Sequence, residues 1–305
     1  MKIFKITLST LVLALLFISC SSDDDEVTNP SNNDDEVTNP PEVTLSNEKQ
    51  ITGFQFLLSE NPISMNVLAE INEETESIFA ILPGNSLKTA LIPQVSTSAE
   101  ATLSPEGIQN FSNPVTYTVT AEDGSTKTYE VTVVTEKDAL AAIHEANPGN
   151  SLGWDLDDPD LSNWEGVTLN NGVIVDLLIH NSLLTHIPPE IGHFRNLTDL
   201  GIHMNDFASI PPEIGQLKQL VKLSVGLNGN LNSVPPEIGQ LENLEVLHLD
   251  NNSSLTSLPV EIGQLTKLTN LYINGNGFAT IPQEICNLEI NHGTEIFIEA
   301  DITCE

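Results

Sequence analysis

His180 and His203 stand 23 residues apart, in a stretch whose other side chains recur at nearly the same spacing. Two neighbouring imidazoles are half of a transition-metal site. The position that would supply a third ligand, however, is Gly226. Asp155, Asp157, Asp158 and Asp160 form a carboxylate cluster that could attract calcium, although their spacing is not that of a helix-loop-helix calcium loop. Gly149-Asn150-Ser151-Leu152-Gly153 has the form of a nucleophile elbow. That elbow needs a strand before it and a helix after it, whereas here a helical stretch and Pro148 precede it. His144-Glu145 lacks the second histidine of a zinc-binding helix. No phosphate loop, dinucleotide fingerprint or paired-cysteine zinc motif occurs. The expectation is a protein without catalytic residues, metal or cofactor, whose function is binding.

The residues that could bind lie in a repeat. Five copies of one unit run Ile174–Asn196, Leu197–Gln219, Leu220–Asn243, Leu244–Lys267 and Leu268–Ile290, with lengths of 23, 23, 24, 24 and 23 residues. In the second copy Leu197, Leu200 and Ile202 point inward from a short strand, and Phe207, Ile210, Ile214 and Leu217 complete the core. Pro211-Pro212-Glu213-Ile214-Gly215 then turns the chain back. Proline fixes φ at a helix start, glutamate suits a first turn and glycine releases it. Period and pattern resemble leucine-rich repeats. The resemblance implies an α/β solenoid in which each unit contacts only its neighbours. It also implies that the column Ser182, Asn205, Asn228, Asn252 and Asn276 is structural, the asparagines bonding backbone groups inside the turn. Glu190, Glu213, Glu237, Glu261 and Glu284 recur on the convex side and are read as structural too.

Two columns face outward on the concave side. One is Leu178, Gly201, Ser224, His248 and Tyr272; the other is His180, His203, Gly226, Asp250 and Asn274. They change type from copy to copy while the frame stays constant, so recognition is expected at His180, His203, Ser224, His248, Asp250, Tyr272 and Asn274. Tyr272 is the only aromatic in these columns. Five strands about 4.8 Å apart give a face only ~20 Å long.

The chain of 305 residues carries 43 acidic and 10 basic side chains, a formal net charge of −33. Such a surface favours solubility and repels nucleic acid and anionic lipid. At the N-terminus Lys2 and Lys5 precede an apolar run, Leu11 to Ile18, which ends in Phe17-Ile18-Ser19-Cys20. The run is too short to span a bilayer. The ending resembles the lipobox of bacterial lipoproteins, which implies lipidation at Cys20; a plain secretory signal is the alternative. Ser21-Ser22-Asp23-Asp24-Asp25-Glu26 resembles the export signal of Bacteroidetes surface lipoproteins. That resemblance implies an outer-membrane anchor with the protein facing the exterior. Residues 20–48, in which Asp-Asp-Glu-Val-Thr-Asn-Pro occurs twice, are expected to be a disordered acidic tether.

Residues 49–135 read as short strands. Val115, Tyr117, Val119 and Ala121 alternate with polar residues, then Glu122-Asp123-Gly124-Ser125 turns, and Tyr129, Val131 and Val133 alternate again. This is a hairpin signal. The segment from Asn113 to Lys127 resembles immunoglobulin- or cadherin-like modules, which implies a small antiparallel β-sandwich acting as a spacer or as a second binding domain. Residues 136–173 resemble the N-terminal cap of plant-type leucine-rich-repeat proteins, with a helical pattern from Asp138 to Asn147 followed by Trp154 and Asn163-Trp164-Glu165-Gly166-Val167. The cysteines of that cap are missing, so packing of the two tryptophans must hold it. In the last repeat Cys286 stands where the other four copies have glycine, and Cys304 follows. Outside the cytoplasm a remaining cysteine pair favours a disulfide, the alternative being two buried thiols. A C-terminal cap, 291–305, is expected to cover the open core edge with Ile296, Phe297, Ile298 and Ile302.

The signal segment 1–19, tether, sandwich, cap, repeats 174–290 and C-terminal cap describe a multidomain, monomeric surface lipoprotein. It is expected to bind an unknown protein partner through the concave face and to touch membrane only through its lipid anchor. The alternative is glycan capture for polysaccharide uptake. Sugar sites favour exposed aromatics, and a single tyrosine argues for the protein partner.

Overall fold

The computed structural model describes residues 44–305. Lipidation at Cys20, the signal segment and most of the tether lie outside the described residues. Among the described residues no helix is long and apolar enough to cross a membrane.

A β-rich domain comes first. Its strands are β1 (Ile51–Phe56), β2 (Val67–Leu68), β3 (Glu70–Asn72), β4 (Ser77–Leu82), β5 (Pro93–Thr97), β6 (Thr102–Ser104), β7 (Val115–Thr120) and β8 (Thr126–Thr135). They form a three-stranded sheet, β2-β1-β5, and a five-stranded sheet, β3-β4-β8-β7-β6. The inner faces of both sheets share one core. It is aromatic: Phe54 packs edge-on against Phe56, Phe111 and Tyr117, with ring centroids 5.4–6.5 Å apart. The β7–β8 hairpin pairs Tyr117 with Tyr129 and Val115 with Val131, and Gly124 takes φ +82° in its turn. The larger sheet is not antiparallel throughout, because β4 and β8 run parallel. A parallel pair needs a long crossover. The chain from Pro83 to Ser125 provides it by way of the other sheet.

Strand β8 runs directly into helix α1 (Glu136–Glu145), two residues earlier than the sequence pattern suggests. Thr135 is the N-cap: its hydroxyl accepts from the Asp138 N–H, and Asp138 reaches back to the Thr135 N–H, a reciprocal capping box. No linker separates the β-rich domain from the repeat region. Several contacts reinforce the joint, including Lys88–Asp138 at 2.8 Å, an Arg195–Glu70 ion pair and Phe79 against His193. A Cβ on Gly84 would lie 2.5 Å from the Gly172 carbonyl, so the two backbones meet where only glycine fits.

The repeats build one sheet. After β9 (Val167–Asn170), strands β10 (Val173–Leu178), β11 (Asp199–Gly201), β12 (Lys222–Ser224), β13 (Val246–His248) and β14 (Asn270–Tyr272) follow in order. All are parallel except β9, which pairs antiparallel with β10. Each strand sends one leucine inward: Leu177, Leu200, Leu223, Leu247 and Leu271 are 0–1% exposed. Short 3-10 turns built on Pro-Glu-Ile-Gly or Val-Glu-Ile-Gly form the opposite side. There a Cβ on Gly192, Gly215, Gly239 or Gly263 would come within 2.5–2.9 Å of the next repeat's glutamate. Glycine thus lets successive turns press together, and Glu213, Glu237, Glu261 and Glu284 supply the surface they press on.

After β15 (Thr280–Ile281) and α2 (Gln283–His292), the chain adds β16 (Glu295–Phe297) to the far edge of the repeat sheet, and β17 (Thr303–Cys304) pairs with β15. Cys286 and Cys304 are joined in a disulfide, with Cα atoms 6.3 Å apart. Of the four residues expected to cover the core edge, Ile296, Ile298 and Ile302 pack against it. Phe297 does not: alternation along a strand sends it to the opposite face from Ile296, where it is 39% exposed.

Candidate binding face of the repeat sheet

The solvent face of the sheet rests on a buried polar spine. Asn205 accepts the N–H groups of Ser182 and Leu184, both at 3.0 Å, and donates to the Ile179 carbonyl. Asn228 accepts from the Asn205 N–H at 2.7 Å, Asn252 from Asn228 at 2.7 Å, and Asn276 from Asn252 at 2.9 Å. Each amide satisfies a turn that would otherwise bury unpaired backbone groups. The shorter Ser182 hydroxyl donates to the His180 carbonyl at 3.0 Å and makes no such bridge to a preceding turn. Asn147, at the end of α1, takes up the same task one step earlier. It accepts from the Thr185 and His186 N–H groups at 2.8 and 2.9 Å and is 1% exposed. Nothing in the repeat pattern marks Asn147, because it lies outside the repeat.

On this spine stand three outward rows. The middle row is Leu178, Gly201, Ser224, His248, Tyr272 and Phe297, each paired with the next across the sheet. Seven strands make the face about 29 Å long rather than about 20 Å. At its C-terminal end three rings stack. His248 and Tyr272 have centroids 4.2 Å apart with planes within 2°, and Tyr272 and Phe297 are 4.3 Å apart within 6°. Parallel strands repeat the same rotamer at the strand spacing, which lays the rings on one another. Tyr272 is therefore not alone. Phe297 escaped the sequence pattern because β16 is a three-residue strand that follows a helix instead of a sixth repeat.

The second row is His180, His203, Gly226, Asp250 and Asn274. His180 and His203 stack at 5.7 Å. Burial, then the neighbouring His180, His248 and Lys222, pull the His203 imidazole down, against a weaker opposite pull from Asp250. His203 is therefore neutral at pH 7, and its Nδ1 is buried with no hydrogen-bond partner among the described residues. Asp250 lies 3.4 Å from the His248 Nδ1 and also accepts from the Asn251 amide. The third row, Asp176, Asp199, Lys222, Val246, Asn270 and Glu295, flanks the rings on the other side.

The other chemical candidates are placed elsewhere. Asp155, Asp158 and Asp160 accept the backbone N–H groups of Asp157, Asp160 and Ser162 in successive turns at 2.9–3.0 Å. Among the described residues no group of three or more histidine, cysteine, aspartate or glutamate side chains converges as a metal site would require. Ser151 bonds the Ser182 carbonyl through its N–H and lies in a loop after α1. Trp154 and Trp164 stack at 5.4 Å beneath the first strands, buried to 6% and 3% exposure.

Glu136 was not marked by any sequence signal. It is 1% exposed at the joint, and one carboxylate oxygen accepts from both the Gly84 N–H at 2.7 Å and the Ile174 N–H at 3.0 Å. It thus links the β-rich domain to the first repeat strand. Burial pushes its pKa up to about 7, against the two hydrogen bonds.

Comparison with known proteins adds two family matches. Residues 51–133 match the family model described as SGBP, N-terminal, and residues 243–265 and 267–288 match the leucine-rich repeat model. No curated protein matches the chain. Among solved structures, a leucine-rich repeat protein of Leptospira interrogans is 42% identical, with 38% of this chain and 30% of that one covered and a TM-score of 0.34. A plant ice-binding protein is 25% identical over 55% of this chain and 56% of its own, with a TM-score of 0.46. The BIR2 ectodomain of Arabidopsis thaliana is 25% identical over 49% and 84%, with a TM-score of 0.42. The chain spans less than two thirds of the first two of these structures. It joins an SGBP N-terminal domain to a leucine-rich-repeat region.

Proposed function

We propose that the protein is a non-catalytic lipoprotein of the bacterial cell surface that captures a glycan on the concave face of its repeat solenoid. The observation that carries this is the stacked row His248, Tyr272 and Phe297, flanked on both sides by carboxylates and amides. A sugar has apolar C–H faces and a rim of hydroxyls. The ring edges along the row and the outer faces of its end rings, His248 and Phe297, suit the former, and acceptor and donor side chains such as Asp250, Asn270 and Asn274 suit the latter. The domain match over residues 51–133 points the same way, since SGBP denotes surface glycan-binding proteins of the Bacteroidetes. In this reading the first domain is an immunoglobulin-like spacer, Cys20 carries the lipid, the chain is monomeric, and the acidic surface keeps nucleic acid away. No cofactor takes part.

A second reading, a protein partner on the same face, is favoured by one specific observation. Beside the sheet, Leu183, Met204 and Leu227 are 61%, 49% and 49% exposed. Met204 and Leu227 also hold left-handed backbone at φ +60°, where asparagine or glycine is at ease. A protein covers such a rim more naturally than a sugar does. The two readings separate on the purified protein, probed with a panel of neutral and acidic polysaccharides by affinity electrophoresis. Tyr272→Ala and Phe297→Ala should abolish retardation, whereas Glu237→Ala on the far side should leave it intact. If no polysaccharide retards the wild type, glycan capture is wrong and the rim becomes the site to pursue.

A further inference from the structure

The middle row narrows to a hydrogen at Gly201 and a hydroxymethyl group at Ser224, and there a depression of about 180 Å³ opens in the sheet face. Leu178 closes one end, its Cδ1 lying 2.6 Å from where a Cβ on Gly201 would be, so glycine is required for that leucine to lean over the floor. Across Ser224 the next side chain of the row is the His248 ring, at the free end of the aromatic stack. The walls are polar. Asp176 and Asp199 are directly paired across neighbouring strands, with Lys222 next in line. His203 stands on the other side, with its Nδ1 3.6 Å from the same position on Gly201.

We infer that this depression seats one neutral sugar residue of a glycan whose chain continues along the ring row. The inference rests on the glycan-capture reading. Its chemistry follows from the groups present. Two carboxylates beside one ammonium leave an excess negative charge on the wall, which accepts hydroxyl donors and repels a uronate or sulfate. Burial and the Asp199 charge push the Asp176 carboxyl up, with Lys222 acting against them, so an acidic sugar would worsen a repulsion already present. Leu178 offers an apolar wall to the C–H groups of a pyranose, and the His248 ring stands next in the row beyond Ser224, where the following residue of the glycan would meet it.

The decisive variant is Ser224→Phe. Ser224 points to solvent, so the change is tolerated by the core, and it extends the aromatic row by one ring while filling the depression. Full-length protein is titrated with starch, a mixed-linkage β-glucan, galactomannan and polygalacturonate, and folding of each variant is checked by circular dichroism. The expectation is that at least one neutral polymer binds, that polygalacturonate binds at least tenfold more weakly, and that Ser224→Phe weakens the neutral ligand at least tenfold. Asp199→Asn should narrow the discrimination against polygalacturonate. If Ser224→Phe binds as well as wild type or better while Tyr272→Ala abolishes binding, the depression is empty in the complex and glycan capture stands. Polygalacturonate bound as tightly as the neutral polymers overturns the assigned ligand class. If none of the four binds, both the depression and the broader reading fall.

Discussion

The first and the last repeat face the same physical problem, an exposed end of a hydrophobic column, and meet it by different means. At the N-terminal end the column abuts protein. Trp154 and Trp164 stack beneath β9 and β10, Asn147 fills the first turn, and Glu136 ties Ile174 to Gly84 of the preceding domain. At the C-terminal end the seal is made by residues that follow the last repeat strand. A helix, one added strand and the Cys286–Cys304 bond close the column there. An end with a neighbour can be sealed by packing and hydrogen bonds, because the neighbour holds its own part in place. The C-terminal cap folds a short segment back on the column, and a cross-link limits the unfolded freedom of that segment.

The comparison can be broken at each end. The largest effect is expected from Trp164→Ala, which removes a buried ring from the N-terminal seal and should cost about 3–5 kcal/mol. Urea unfolding followed by circular dichroism measures it. A cost below about 1 kcal/mol would mean that the tryptophans decorate a seal made elsewhere.

Glu136 makes the same end pH-sensitive. Folded, it holds its proton up to about pH 7, against an ordinary value of 4.5. Between these values the folded state binds more protons than the unfolded one, so its contribution is full below pH 4.5 and is lost as the pH rises to 7. The span corresponds to roughly 3 kcal/mol. Glu136→Gln cannot titrate, and subtracting its stability from that of the wild type cancels the other carboxylates. The difference should turn against the wild type between pH 4.5 and 7. A difference that moves the opposite way would show that the Gly84 and Ile174 N–H groups outweigh burial and hold the carboxylate charged.

At the other end Cys304→Ser should cost about 3 kcal/mol. Hydrogen exchange should report the loss in α2, β15 and β16 while β10 and α1 keep their protection. Loss spread evenly over the sheet would deny that the two ends are sealed independently.

The smallest effect lies between the ends. Met204→Asn and Leu227→Asn relieve left-handed backbone as Asn251 already does at φ +57°, and each should gain about 0.5–1 kcal/mol. Thermal melts decide it. A gain in stability with unchanged glycan binding would leave the exposed rim without a role in capture.

These same regions mark what the sequence discloses. The repeats are legible because every inward leucine and every turn asparagine occurs several times at one period, so the copies corroborate each other. The outward rows follow from the register alone, and His180, His203, Ser224, His248, Asp250, Tyr272 and Asn274 do share one face. The ends occur once. Glu136 looks like any solvated charge at the start of a helix, and only the tertiary fold reveals that Gly84 and Ile174 meet there. Asn147 reads as a helix terminus. Phe297 reads as core, because a short strand after a helix offers no periodicity to say which side it faces. The parallel pairing of β4 with β8 is invisible for a related reason: alternation fixes which side chains point inward, not the direction of the neighbour.

The close approach of Gly192, Gly215, Gly239 and Gly263 to the following glutamate has a consequence for how such an array can change in length. Any interior unit presents the same glycine to its successor and the same glutamate to its predecessor, so a duplicated unit inserted between two others meets matching surfaces on both sides. The last unit cannot be extended in this way. Its side chain at this position is Cys286, already bonded to Cys304, and it occupies the space a further turn would need. The array can therefore grow from within but not from its tip. Each inserted unit would lengthen the outward face by about 4.8 Å without disturbing either seal.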